Sequence, residues 1–459
     1  MPVLTQKRQQ EQAFPRRVEK PVHFQLASIH LARSNPFADD RITSVAAVSA
    51  ARKLLTRTAH PHSHPLLRLC QSNAVLFTQS LVDTLAREAG FTLAGVAAIP
   101  APDAPESREE RTRFEQWIDS GTAGEMEYLK RRNENGDFIR SSVRAAFPWA
   151  QSVIVCVANY NADQPRSIDP APEGSGWVAR YAWSGFRPES DADPAALMRP
   201  TDYHKALLKR LDVLNAALRQ AIGPFESCCY VDTGPLVERV YARYAGLGWT
   251  GKNTCILSQK LGSWFFLGVI VTSLELPAAE LPALAADRCG TCTRCIDACP
   301  TQALAPYRMD ATRCISYLTI EKRGAIPEDL RDGIGRQIFG CDICQEVCPW
   351  NSKAPISADP ELSPRPDLVN PALDWLAAMD AREFGTWFFG SPVKRAKFDG
   401  FRRNLAIAMG NSGLARFRPT LESWSRSEDP VLAEASGRAL RKLDSLDQAP
   451  PQTRAASLP

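Results

Sequence analysis

Apolar residues fall at helical spacing from Leu81 through Leu85 and Ala86 to Phe91, and Gly90 closes the turn, so patterned sequence begins near Leu76 with an amphipathic helix. Gln151 to Tyr160, carrying Val153, Ile154, Val155 and Val157, is a short continuous apolar run and predicts a buried strand. Leu207 to Ile222 returns to the helical period and stops before Gly223 and Pro224. Two further strand-like pieces, Cys228 to Asp232 and Ser263 to Thr272, flank a helix from Leu236 to Leu247 and a Gly-rich turn. Helices and strands mix without a βαβ repeat, which predicts an α+β domain over residues 76–280. Residues 162–200, loaded with Pro, Asp, Gly and Ser, predict an inserted surface loop. Ser352 to Pro371 reads as a linker, and the helical segments Phe401 to Gly410, Pro419 to Trp424 and Asp429 to Leu443 predict a HEAT-like domain over 372–445. A disordered tail, 446–459, is expected after it.

Composition narrows the class. At 44% hydrophobic and 23% charged, the 459 residues read as a soluble globular protein of several domains. A net charge of +4 gives no global field for nucleic acid, so RNA contact requires a local patch. Ser391 to Lys442 offers one, with eleven Lys and Arg against five Asp and Glu. The longest apolar run, Trp264 to Val271, is far too short for a membrane span. Residues 1–75 hold five of the six histidines and no sustained period; they read as a disordered extension or an over-long gene start, with an alternative start near Val75 or Leu76. Arg16 and Arg17 lack the apolar stretch that an export signal needs, and a cytoplasmic protein is expected.

Eight of the thirteen cysteines carry the chemistry. Cys289, Cys292, Cys295 and Cys299, followed by Pro300, form the C-x2-C-x2-C-x3-C-P run of bacterial ferredoxins, in which the fourth Cys ligates the other cluster. Cys341, Cys344 and Cys348 repeat it before Pro349, and Cys314 lies between. This predicts a ferredoxin-like domain over 281–351 with two 4Fe-4S clusters, one on Cys289, Cys292, Cys295 and Cys348, the other on Cys299, Cys314, Cys341 and Cys344. Zinc also takes C-x2-C pairs, yet gains nothing from the third Cys and the following Pro. Cys70, Cys156, Cys228, Cys229 and Cys255 show no paired spacing, which suits a reducing compartment.

Gly246 to Asn253 satisfies two phosphate-loop patterns, but it follows a helix, and Asn253 stands where magnesium needs Ser or Thr. Its amides and Lys252 remain candidates for another polar ligand. Asp232, at a strand end, either caps the following helix or acts as a proton donor. His204 is the sole histidine beyond the extension. A lone His is more often structural.

Several stretches together resemble the epoxyqueuosine reductases: Asp202 to Lys205, Val231 to Pro235, Gly246 to Asn253, Arg313 to Glu321 and Phe339 to Asn351. The resemblance runs from about residue 76 to 351 and continues more weakly into the C-terminal helices. It implies a cobalamin-binding α+β domain, a two-cluster domain and HEAT-like helices. The implied reaction removes the epoxide oxygen of epoxyqueuosine at the wobble position of tRNA. Electrons from an external donor pass through both clusters to cobalamin, and Asp232 supplies the proton. Arg140 and Arg180 match corrin-contacting positions, with Asp232, Lys252 and Ser258 beside them. Ser316, Gly340 and Asp342, next to cluster ligands, line the corrin in the same reading. A monomer without membrane contact is implied. A corrinoid dehalogenase or a non-catalytic electron carrier are the rival readings.

Overall fold

The computed structural model describes residues 76–187 and 198–448. The expectations for residues 1–75, for 449–459 within the tail and for 188–197 within the inserted loop lie outside the described residues.

Helix α1 (Gln79–Glu88) starts where the Thr78 hydroxyl accepts the Leu81 amide, a side-chain cap on an otherwise orphaned donor. It leads into β1 (Leu93–Ala98), and α2 (Pro105–Asp119) follows. β2 (Ser152–Asn159) pairs antiparallel with β1 on one side and with β4 (Phe265–Thr272) on the other, and β3 (Ser227–Tyr230) completes the sheet in the order β1-β2-β4-β3. Both faces are covered. Ile154, Cys156 and Ile270 face α1 and α3 (Tyr203–Ile222), whereas Val153, Val155, Val269 and Val271 face α4 (Glu238–Tyr244). Burial on both faces is why β2 reads as an unbroken apolar run rather than an alternating one.

The expectation of a surface loop over 162–200 fails in its middle. Residues 175–184 are largely buried, and Trp177 and Val178 run parallel to Gln337–Phe339. Trp177 and Trp183 meet edge to face at 5.1 Å inside the largest core. The linker also packs. Leu362 and Leu368 are buried, and Ser363–Pro364 pairs with Ser184–Gly185.

That core unites α5 (Ile315–Ile320) and α6 (Glu328–Ile334) of the cysteine-rich region with the C-terminal helices. These are α7 (Leu373–Ala378), α8 (Ala381–Trp387), α9 (Lys397–Ser412), α10 (Arg418–Trp424) and α11 (Pro430–Gln448). Polar bolts reinforce it. Buried Asn404 on α9 donates to the carbonyls of Thr319 and Ile338, and Arg403 donates to those of Leu318, Lys322 and Gly324. The C-terminal helices thereby fix the backbone between Cys314 and the second cysteine run.

Candidate functional site: two thiol groups and an acidic cleft

The eight cysteines sort by proximity. Cys295 lies within electrostatic reach of Cys348, Cys289 and Cys292, and Cys348 within reach of Cys289 and Cys292. Cys341 feels Cys314 and Cys299, while Cys344 feels Cys255, Cys341 and Cys314 and, across the two groups, Cys295. Burial pushes the thiols of Cys295, Cys314, Cys341, Cys344 and Cys348 above the ordinary cysteine value, and neighbouring thiolates add to it. Such crowding suits thiolates only when a cation-rich centre sits among them. Amides of Ser316 and Tyr317 at Cys314, Ile343 at Cys341, and Trp350 and Asn351 at Cys348 stabilise the anionic form. The Ala303 amide reaches Cys299 Sγ at 3.3 Å. These N–H to sulfur bonds fit iron–sulfur ligation, which tunes clusters this way.

Cys255 went unassigned in the sequence because its spacing matches nothing. The fold sets it beside Cys348, Cys314 and Cys295, drawn from both groups, and burial pushes its thiol up to about 11. Only the tertiary structure carries that signal.

Asp232 stands where β3 runs out, with left-handed backbone (φ 57°) that costs about 1 kcal/mol for a residue bearing Cβ. It does not cap α4. That helix begins at Glu238 after Val237, which makes no side-chain cap. The Asp232 carboxylate instead accepts the Tyr203 hydroxyl, and its Oδ2 lies 3.7 Å from His204 Nε2. Tyr203 is held as a slab: its ring stacks on His204 at 4.0 Å and on Phe266 at 4.0 Å with an 8° interplanar angle. Burial and the Asp232 charge hold the Tyr203 phenol well above its usual value, so it stays a donor. The Asp232 side chain is 49% exposed, open on one side rather than buried.

Rings and cations surround the Tyr203–Asp232 pair. Arg140 and Arg395 both lie 5.5 Å from the Tyr128 ring centre, Arg395 pairs with Glu321 at 2.5 Å, and Tyr181 meets Tyr203 edge to face. Glu238, missed in the sequence, lies within electrostatic reach of the same carboxylate. Its Oε1 is buried without a hydrogen-bond partner, and burial, followed by the Asp232 charge, raises its pKa to about 7.

Three expected corrin contacts have other work. Arg180 is 5% exposed; its guanidinium donates to the carbonyls of Ala162, Gln164 and Pro165 and faces Glu346 at 3.7 Å. Asp342, 2% exposed, accepts from the Trp177 indole and the Arg180 amide. Lys252 clamps the first cysteine loop through the carbonyls of Gly290 and Cys292 at 2.7 and 3.0 Å. In this structure these side chains are engaged with protein groups, although Arg180 Nε is left without a hydrogen-bond partner. Ser258 is buried at its bridge to Gly262, and Ser316 serves the Cys314 sulfur. Gly340 is left-handed (φ 70°), and a Cβ there would stand 2.5 Å from that of Ala179. Of that set, Arg140 and Asp232 both act on Glu238.

Part of the basic patch is buried or neutralised. Arg403 is buried, and Arg416, Arg418, Arg438 and Lys442 pair with acids.

Two thiolate sets joined to an α+β sheet that presents a carboxyl beside them define an iron–sulfur oxidoreductase. A family model for the 4Fe-4S double cluster binding domain matches residues 288–351, and one described as Epoxyqueuosine reductase QueG, DUF1730 matches 140–233. The epoxyqueuosine reductase of Xanthomonas campestris is 40% identical over 363 residues, covering 78% of this chain and 94% of that protein. The chain belongs to the epoxyqueuosine reductase family: it carries two 4Fe-4S clusters and reduces epoxyqueuosine in tRNA. The Pseudomonas aeruginosa enzyme is 38% identical, over 71% of this chain and 83% of its own. An epoxyqueuosine reductase crystallised with an epoxyqueuosine-modified tRNA stem loop superposes with a TM-score of 0.67 at 25% identity, covering 82% of this chain and 96% of that one. The Bacillus subtilis enzyme with its catalytic Asp loop swung out of the active site superposes at 0.66, with the same identity and coverage.

Proposed function

We propose that Asp232 is the proton donor of this reductase and that the cleft it faces holds cobalamin. A corrin held there would supply a strongly nucleophilic and reducing centre for the epoxide. The chain's part is positional. Tyr128 and Tyr181 offer ring surface to a flat macrocycle, Arg140 offers a donor to its amide rim, and Tyr203, its own faces covered by His204 and Phe266, aims the Asp232 carboxyl at the oxygen that leaves. The observation carrying this reading is the Asp232 carboxyl, braced by Tyr203 and open to a cleft that adjoins the second thiol group. Adjacency follows from packing: Gly340, before Cys341, lies against Ala179 and Tyr181, and Tyr181 touches Tyr203.

In this reading Cys289, Cys292, Cys295 and Cys348 hold the cluster that accepts electrons from an external donor. Cys299, Cys314, Cys341 and Cys344 hold the one that discharges at the cleft. Phe389, 71% exposed with the Lys394 ammonium 5.6 Å from its ring centre, offers the tRNA a stacking face beside a cation. It shares a segment with Arg395 of the cleft. The enzyme works as a cytoplasmic monomer; among the described residues no helix is long and apolar enough to cross a membrane.

Asp232→Asn tests the central assignment. Anaerobically reconstituted protein is offered epoxyqueuosine-containing tRNA and cobalamin, and the nucleosides are analysed. The variant should keep its iron and bind cobalamin yet lose turnover. Wild-type turnover would remove Asp232 from the mechanism.

A further inference from the structure

Opening an epoxide to an alkene breaks both C–O bonds, forms the double bond and releases the oxygen as water. The change consumes two electrons and two protons. The clusters account for the electrons. One carboxyl accounts for one proton, so Asp232 must be recharged within a single turnover.

We propose that Glu238 supplies the second proton, reprotonating Asp232 between the two C–O cleavages; this rests on Asp232 as the donor. Glu238 opens α4 just after the turn that carries Asp232. Its Oε1 is enclosed and has no hydrogen-bond partner. The carboxyl takes a hydrogen bond from the residue's own amide but none at Oε1, and a buried carboxyl left with an oxygen that nothing donates to is poorly stabilised as an anion, so the group stays protonated. The charged groups acting on it are Asp232 from the preceding loop, Arg140 from the Ile139–Ser141 turn and Arg239 from its own helix. Burial and the Asp232 charge favour the acid, with its pKa raised to about 7, while the two arginines temper the anion left when the proton departs.

The proton balance closes. Asp232 protonates the oxygen as the first C–O bond breaks and becomes the carboxylate. The Glu238 proton passes to that carboxylate, and Asp232 delivers it as the second C–O bond breaks and water leaves. Solvent at the exposed side of Asp232 then refills both acids.

The test uses full-length, anaerobically reconstituted, pre-reduced enzyme with epoxyqueuosine-containing tRNA, in single turnovers across the pH range. The wild-type rate should fall as pH rises through about 7, where Glu238 loses its proton. E238Q should be slower by about tenfold to a hundredfold and lose that limb, with KM for tRNA and iron content unchanged. E238D should restore the limb. Infrared titration of the protonated-carboxyl stretch gives a readout independent of turnover: a band lost near pH 7 in the wild type should be missing from E238Q. A wild-type rate and pH limb in E238Q overturn the inference, as does a carboxyl band unchanged in E238Q. If E238Q does not take up cobalamin, E238D and the infrared band decide. An unchanged E238Q beside an inactive Asp232→Asn sinks the Glu238 role and leaves Asp232 standing, whereas full turnover in Asp232→Asn sinks the reading beneath it.

Discussion

A proton donor is useful only if it points the right way, and Asp232 is aimed by one hydroxyl. Tyr203 donates to it from a ring clamped between His204 and Phe266. Tyr203→Phe removes the hydroxyl while leaving the stack, which makes it a clean test of aim. A hydrogen bond to a charged group contributes about 1.5–3 kcal/mol, or about tenfold to a hundredfold in rate. The variant should lose that much in kcat with KM for tRNA and the cluster spectra unchanged. Equal loss in KM would instead make Tyr203 a binding residue.

At the scale of elements, the clusters depend on helices far along the chain. Gly410 on α9 lies against Ala439 on α11, and a Cβ there would stand 2.7 Å from that of Ala439. Gly410→Val should therefore force the helix pair apart and cost about 1–3 kcal/mol, read as a lower denaturation midpoint. Because α9 carries Asn404 and Arg403, bonded to the backbone around Thr319 and Ile338, the clusters should also bleach faster in air. Wild-type bleaching would show that these bolts do not support the clusters. The sequence foreshadows much of this architecture unevenly. β2 and α3 are legible because their periods are local, and the cysteine runs because spacing alone separates a ferredoxin pattern from zinc. Trp177 and Trp183 are not, since Pro, Ser and Gly around them mask a core segment whose ladder partner lies at Gln337–Phe339. Adjacency to motif residues likewise says nothing of which way a side chain turns, and Arg180 and Asp342 are bonded inside the protein. Glu238 and Cys255 owe their interest to what surrounds them, a property no local pattern encodes.

Across the whole molecule, electron flow has a direction only if the two clusters have distinct addresses. In the proposed pairing each run lends one thiolate to the other cluster, Cys299 forward and Cys348 back, so the runs cannot move apart without opening both sites. The proximity of Cys348 to Cys289 and Cys292, and of Cys341 to Cys299, supports that exchange. Crossing separates two otherwise similar models. If ligation follows the exchange, Cys348→Ala damages the cluster of the first run, and Cys299→Ala that of the second. Each variant should lose about half its iron, and their residual electron paramagnetic resonance signals should differ. Cys348→Ala should share its residual signal with Cys295→Ala, and Cys299→Ala with Cys341→Ala. Should Cys348→Ala pair with Cys341→Ala instead, each run would own its cluster and the interlock would be gone. In Cys299→Ala the remaining cluster should still accept electrons from a chemical reductant while turnover on tRNA stops, because the cluster left is the one remote from Asp232.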